Sequence, residues 1–424
     1  MSSKCLNKFP YSEGLVEIGL YGHGVGGNED YKSWKYNKQF FNQALLVTKF
    51  MDNAIKSTNK LFEELRGYWQ SLGKQNASNH NNDNDNWILE TDFSAWFHAF
   101  ANDIISIIAT GGRTYSIASY YNTQCTIKSE HPDALVEDGN NFVKSIIQHL
   151  EGIMFFMLVG PFWRHYVPIR RNEIEEMPVG TEMRTDMLTS LIIANTEKDT
   201  TNIKTVDDET FEPMIDEEIR SNLLEAFGGG TDSTANSICY IVYYLCKYPN
   251  VKQKMISEID SIFSNKSYLT SDDLSKLKYC EAIIKETSRI MPIANFVTRY
   301  MTEESEVAGY KWAAGTLFHL NVVGIHSHPE VWPNPEVFDP DRFYNVDHGD
   351  DKQLENKYSL IIFGGGPRIC PGRKLAMNEL LLLMASIYRY YNVELMDMHK
   401  PLKIVATLVN NVQEMKVRIS PRIN

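Results

Sequence analysis

Paired cysteines, long apolar runs and clustered positive charge are all scarce in this chain. Its six cysteines (Cys5, Cys125, Cys239, Cys246, Cys280 and Cys370) contain no C-x-x-C pair. That spacing excludes a zinc site of the paired-cysteine type and a disulfide framework, and points to a reducing compartment. No apolar run reaches the roughly 20 residues that a membrane span needs, the longest being Gly152 to Trp163. A soluble or peripheral protein without a visible signal peptide is therefore expected. Lys and Arg total 42 against 54 Asp and Glu, a formal charge of −12, and phosphate neutralisation needs the opposite balance, so nucleic acid is not an expected partner.

What the chain does have is length and helical pattern. At 424 residues and 43% apolar composition it buries a large core. Most segments show helical periodicity, few alternate as strands do, and no internal repeat is present. Two polar stretches, residues 74–86 and 197–213, look like solvated surface loops, too short to separate units. A single domain over residues 1–424 is expected.

The second loop leads into a long helix that Asp216 would cap and Pro249 would end. Inside it stand Gly228, Gly229 and Gly230, each costing about 1 kcal/mol relative to alanine. A large ligand pressed against the helix would offset that cost, and so would a tight helix-helix crossing. Thr231, Asp232, Ser233 and Thr234 follow, with short side chains that bond to nearby carbonyls and bend a helix. An acid and an alcohol beside a close-approach surface suit proton delivery to a bound ligand. Further on, KYCEAIIKETSRI forms an amphipathic helix that stops before Pro292. It places Glu286 and Arg289 on one face, a pair that by itself means little, because exposed pairs contribute only about 0.3–0.5 kcal/mol.

The stretch FGGGPRICPG, Phe363 to Gly372, sets one cysteine in a glycine- and proline-rich loop. Pro371 suits the first turn of the helix that follows. A cysteine at a helix N-terminus near Arg368 is biased toward thiolate, and a thiolate is either a nucleophile or a metal ligand. A nucleophile wants a histidine base; His326 and His328 lie in a separate segment with no recognisable partner pattern. A haem ligand suits the surroundings better, with glycines for close approach, Arg368 for a propionate and Phe363 to shield the sulfur.

This loop resembles the haem-binding signature F-x-x-G-x-R-x-C-x-G of the cytochrome P450 family at Phe363, Gly366, Arg368, Cys370 and Gly372. KETSR resembles the family's E-x-x-R motif, PDRF at Pro340 to Phe343 its P-E-R-F segment, and GGTDST at Gly229 to Thr234 its oxygen-activation stretch. The resemblance runs from about Gly19 onward. It implies a mainly α fold with small β-sheets, and haem b ligated by Cys370, with Gly229 and Gly230 beside it. Arg368 and Arg299 would hold the propionates. Glu286, Arg289 and Arg342 would form a structural triad behind the haem, and Asp232 with Ser233 and Thr234 would relay protons. The implied reaction is insertion of one oxygen atom of O2 into an apolar substrate. Electrons would come from a separate NADPH-cytochrome P450 reductase or similar donor, docking near Arg373 and Lys374. The family's usual place is the cytosolic face of the endoplasmic reticulum membrane, so peripheral membrane contact is expected.

Departures qualify that picture. The family's relay alcohol is usually threonine, and Ser233 stands there instead, which loses the rotamer-fixing methyl and implies some leakage to peroxide. SWKYNK resembles the W-x-x-x-R element that contacts a propionate, with Trp34 retained and Lys38 replacing arginine. The family's anchor, first helices and first strands are not found ahead of that element, so an N-terminally incomplete P450 fold is expected. Two other activities share these residues: an inactive or non-enzymatic haem-binding fragment, and an O2-independent isomerase or dehydratase, against which Asp232 and Ser233 speak. GHGVGG, Gly22 to Gly27, imitates a dinucleotide loop but lacks the preceding strand and following acid, so it reads as a turn. The run MFFMLVGPFWRHYVP reads as core or as a greasy lid touching a membrane surface. Asn76 and Asn265 fit a glycosylation pattern that has no meaning on a cytosolic face.

Overall fold

A computed structural model of the chain describes residues 8, 11–17, 19–46, 48–78, 87–158, 205–206, 209–210, 214–263, 266–344 and 358–422. The elements follow in order: α1 (Glu13–Glu17), α2 (Tyr31–Leu46), α3 (Thr48–Ser78), β1 (Leu89–Asp92), α4 (Phe93–Thr110), α5 (Ser116–Gln124) and α6 (Gly139–Leu158). A minimal antiparallel pair, β2 (Thr205–Val206) and β3 (Glu209–Thr210), precedes α7 (Asp216–Lys247), α8 (Pro249–Phe263), α9 (Ser271–Leu274) and α10 (Lys278–Ile290). Then come β4 (Phe296–Tyr300), β5 (Ser305–Val307), β6 (Tyr310–Trp312), β7 (Leu317–Asn321) and α11 (Val322–His326). The chain closes with α12 (Arg373–Tyr390), β8 (Tyr391–Leu395), β9 (Ile404–Ala406), β10 (Asn410–Val412) and β11 (Lys416–Pro421). It is mainly helical with small antiparallel sheets, as expected.

The core is built on α4 and α7. Helix α4 is apolar nearly all round, and Phe93, Trp96, Phe97 and Phe100 are each at most 1% exposed, the pattern of a helix covered on every side. Asp92 starts it by accepting the Ser94 N–H at 3.1 Å, and Gly111 ends it in the left-handed conformation at φ 68°. The same Asp92 oxygen accepts the Met415 N–H at 3.0 Å, joining the cap to the loop ahead of β11. Strand β11 runs between β1 and β8, with Thr91 facing Val417 and Ile419 facing Val393.

Three boundaries differ from the sequence expectations. Helix α7 is capped by Ile215, and Asp216 is its first residue, because Glu218 reaches back to the Ile215 N–H at 3.2 Å. Helix α3 carries on through the first five residues of the expected 74–86 loop to Ser78. Helix α12 starts at Arg373 behind Gly372, so Pro371 lies just outside the first turn. Most of residues 197–213, Asn265, and the run MFFMLVGPFWRHYVP beyond Leu158 lie outside the described residues.

Candidate functional site

The cysteine loop is a hairpin closed by the Cys370 N–H, which donates to Phe363 O at 2.9 Å. Gly364 and Gly366 take φ +75° and +70°, the left-handed region that a side chain disfavours. A Cβ added at Gly364 or Gly365 would meet nothing within 4 Å, so this face of the loop borders open space. Burial pushes the Cys370 thiol up, against opposing pulls from the Gly372 N–H and the charges of Lys8, Arg373 and Lys38. The expected bias toward thiolate is thereby reversed in the protein alone: desolvation outweighs the helix end and the nearby cations.

Around this loop stand four of the expected anion-binding residues, all nearly buried. Trp34, Arg299, Arg368 and Lys38 are 3%, 3%, 4% and 8% exposed. Arg368 stacks on Trp34 at 4.2 Å and donates to Val25 O at 3.0 Å and Asn28 O at 2.5 Å, yet its Nε has no acceptor. Trp34 Nε1 has none either. Lys38 donates to Pro367 O and, at 3.2 Å, to Ile369 O. Arg299 donates to Thr298 O at 2.7 Å and Gly365 O at 3.3 Å. Burial, followed by the Arg299 charge, pulls Arg368 down to about 10. Burial, then Lys8, Arg368 and Arg373, pulls Lys38 down to about 8. Several cations are thus gathered beside the cysteine loop, with Glu225 and Glu29 acting on Arg368 from the other side.

The GHGVGG loop lies between this cluster and α7. Its Val25, Gly26 and Gly27 N–H groups donate to the Glu225 carboxylate at 2.6, 2.7 and 3.1 Å. Gly24 sits at φ +70°, and a Cβ at Gly24 or Gly26 would come within 2.7 or 2.8 Å of that carboxylate. The turn reading stands, and the loop's donors serve a side chain 200 residues away instead of a phosphate. Since Arg368 takes the Val25 carbonyl, one residue of the loop is held from both sides. Glu225→Ala strands three N–H groups and is expected to cost about 2 kcal/mol or more, with faster proteolysis near Gly22–Gly27 as the readout; unchanged cleavage and stability would show the clasp to be idle.

In α7 the three glycines divide their tasks. A Cβ on Gly228 would meet Leu150 at 2.9 Å and one on Gly230 would meet Ile105 at 2.8 Å, whereas one on Gly229 would meet nothing within 4 Å. Gly228 and Gly230 therefore serve helix crossings, and Gly229 alone opens onto free space. Gly230, expected beside the cofactor, has its Cβ position against Ile105 of α4. Ser233 Oγ donates to Gly229 O at 2.6 Å, one turn back on the same open side. Asp232 points elsewhere: fully buried, with neither carboxylate oxygen hydrogen-bonded, it faces His98 of α4 at 3.9 Å. Burial raises it to about 6, with the His98 charge opposing and Glu151 adding to the rise. Thr234 is also buried.

The Glu286–Arg289 pair is no surface bridge. Both residues are at most 2% exposed. Arg289 donates through Nε and Nη2 to the two Glu286 oxygens at 2.7 and 2.8 Å, and to the carbonyls of His326, Pro335 and Val337 at 2.9, 2.7 and 3.3 Å. Arg342 Nε stands 3.4 Å from Glu286, within ion-pair distance, and its Nη2 donates to Asn334 O at 2.9 Å.

Sequence reasoning missed Glu225 and His98. Glu225 carries no local mark. His98 does, in hindsight: Ser94, His98 and Asn102 form a polar stripe at four-residue spacing on an otherwise apolar helix, and buried polar groups need partners.

Residues 22–419 match the family model described as Cytochrome P450. The chain is 34% identical over 207 residues to (S)-1-hydroxy-N-methylcanadine 13-hydroxylase CYP82X2 of Papaver somniferum, covering 48% of this chain and 37% of that one. It is 32% identical over 196 residues to cytochrome P450 3A19 of Capra hircus aegagrus, covering 46% of this chain and 88% of that one. With the first three relatives the matched region spans between 36% and 38% of their length. The fold is similar to the heme domain of a cytochrome P450DA mutant, with TM-score 0.72 at 17% identity over 100% of this chain and 84% of that one. A cytochrome P450, CYP102L1, gives TM-score 0.68 at 18% identity over 99% and 86%. The chain belongs to the cytochrome P450 family.

Proposed function

We propose that this chain is a haem-thiolate monooxygenase that inserts one atom of O2 into an apolar organic substrate, acting as one P450 domain. The observation that carries this is the buried cation cluster. Arg368, Arg299 and Lys38 crowd one another beside Cys370, while Trp34 Nε1 and Arg368 Nε keep donors to spare. Buried donors without partners are costly, and a ligand with carboxylates would satisfy them. The residues present therefore fit haem: Arg368, Arg299, Trp34 and Lys38 would hold its propionates, and the Cys370 sulfur its iron. Phe363, Gly366 and Gly372 shape the loop around that sulfur.

Bound haem supplies O2 binding and the oxidising power for attack on C–H or C=C bonds. The protein's own part is proton handling and exclusion of water. Ser233 Oγ, anchored on Gly229 O, offers a hydroxyl to the open side of α7, and Asp232 keeps a proton store one residue earlier, poised by burial near neutral pH. That acid-alcohol pair favours O2 chemistry over an isomerase or dehydratase. Two relatives are named hydroxylases, a 13-hydroxylase and a 19-hydroxylase, which supports oxygen insertion. Electrons would come from a separate NADPH-dependent reductase meeting the face that bears Arg373 and the exposed Lys374. Among the described residues no helix is long and apolar enough to cross a membrane. The family's usual place is the cytosolic face of the endoplasmic reticulum membrane, and contact with that surface is part of this reading.

The test is the carbon monoxide difference spectrum of the reduced, haem-supplied protein. The red-shifted band of a thiolate ligand is expected, and Cys370→Ala should abolish it. A protein that retains no haem, or a band that survives Cys370→Ala, overturns the assignment.

A further inference from the structure

Asp232 has a partner that its role as a proton store does not explain. Nothing in the cysteine loop touches it. Its carboxyl is turned into the contact between α7 and α4, where His98 Nε2 lies 3.9 Å from Oδ1 and both side chains are nearly or fully buried.

The hydrogen-bond inventory settles which way the imidazole is protonated. His98 Nδ1 lies 2.8 Å from the Ser94 carbonyl oxygen, which only accepts, so Nδ1 carries the proton in the neutral ring. Nε2 is then the acceptor. Its other neighbour, Asn236, stands at 3.5 Å, but both amide hydrogens of Asn236 are committed, to Asp232 O and to Asn411 Oδ1, each at 2.7 Å. The Asn236 oxygen in turn accepts the Val412 N–H at 2.7 Å. The Asp232 carboxyl is the remaining group that faces Nε2.

We propose that His98 is a positioning residue for Asp232, holding the carboxyl in the α4–α7 contact and sharing a single proton with it. The inference rests on the monooxygenase reading only for its consequence; the shared proton itself is a property of this chain. Two arrangements balance: a neutral carboxyl facing the neutral ring across 3.9 Å, or a carboxylate beside an imidazolium. They differ by one proton moved across the gap, and neither leaves an uncompensated charge in the core. The groups facing the pair are few. Glu151 of α6 disfavours the carboxylate, and Asn411 of β10 favours it. Ser94 on the His98 side is neutral, its Oγ donating to Val412 O at 3.0 Å. The pair thus keeps a proton within reach of α7 at pH values where an ordinary aspartate would have lost it.

The experiment uses the haem-loaded, reduced, carbon monoxide-bound protein with 15N-labelled histidine, in which His98 is assigned through His98→Gln. The expected result is the Nδ1–H tautomer for neutral His98, with the Nε2 resonance displaced in Asp232→Asn relative to the unaltered protein. A second readout comes from the other partner: the infrared band of a protonated buried carboxyl between pH 5 and 8, shifted in position or in pH midpoint by His98→Gln. With a reductase and NADPH supplied, His98→Gln should also raise the peroxide released per NADPH severalfold and flatten its pH profile. An unchanged Nε2 resonance in Asp232→Asn, or an unchanged carboxyl band in His98→Gln, overturns the proposal. A missing thiolate band with the histidine coupling intact would instead sink the monooxygenase reading and leave the pair standing.

Discussion

Arg289→Met is expected to destabilise the folded chain by about 3–5 kcal/mol, the usual cost of stripping one partner from a buried ion pair. All five guanidinium hydrogens are in use: two on Glu286 and three on the carbonyls of His326, Pro335 and Val337. Methionine fills the space and serves none of them. It leaves the Glu286 carboxylate with the Asp339 N–H at 2.9 Å and the more distant Arg342 charge. Arg289→Lys falls between the two, because three donors on a point charge cannot satisfy a planar fork. Urea titration gives the size of the effect. Removing both partners, Glu286→Gln with Arg289→Met, should cost less than the sum of the single changes, since no buried charge is then orphaned. A loss under about 1 kcal/mol for Arg289→Met would be the behaviour of a surface pair and would refute this account of the segment from α10 to Arg342.

Glu379→Met is expected to do the reverse and stabilise the protein, by an amount that grows with pH. Glu379 lies on α12, 5% exposed, with Oε1 unpartnered, among Met51, Ala54, Ile55 and Thr58 of α3 and Leu375 and Leu382 of its own helix. Burial alone raises it from 4.5 to about 8. The unfolded chain therefore releases this proton near pH 4.5, whereas the folded protein keeps it to about pH 8. The unfolded state gains over that interval. Stability is fully present below pH 4.5 and drains away as the pH climbs to about 8, then levels off. At pH 7 the accumulated loss is on the order of 3 kcal/mol. Methionine has no proton to lose and suits an apolar niche. Thermal unfolding at pH 5, 7 and 9 should show the gap between Glu379→Met and the unaltered protein widening from pH 5 to pH 9. A constant gap would mean that Glu379 is hydrated or paired in solution.

Much of the architecture was legible because backbone chemistry writes itself locally. Gly364 and Gly366 supply the positive φ that the cysteine loop needs, Pro292 stops α10, and Pro249 ends α7 while opening α8. Four short motifs in one order named the family, and the family model agrees over residues 22–419. Trp34, Arg299, Arg368 and Lys38 were named from motifs, and the fold brings them together around Cys370.

The run of helices, the cysteine loop and the family were all readable from local residue pattern. Tertiary structure alone decided how each polar group is solvated. Burial turned an ordinary i, i+3 pair into the bridge of Glu286 and Arg289, and raised the Cys370 thiol that local cues would have lowered. The crossings of α7 assigned Gly228 and Gly230 to packing and left Gly229 open. Glu225 met the Gly22–Gly27 loop, and Asp232 met His98, across 130 residues or more of chain. These outcomes depend on desolvation and on through-space contact, and no stretch of neighbouring residues encodes either.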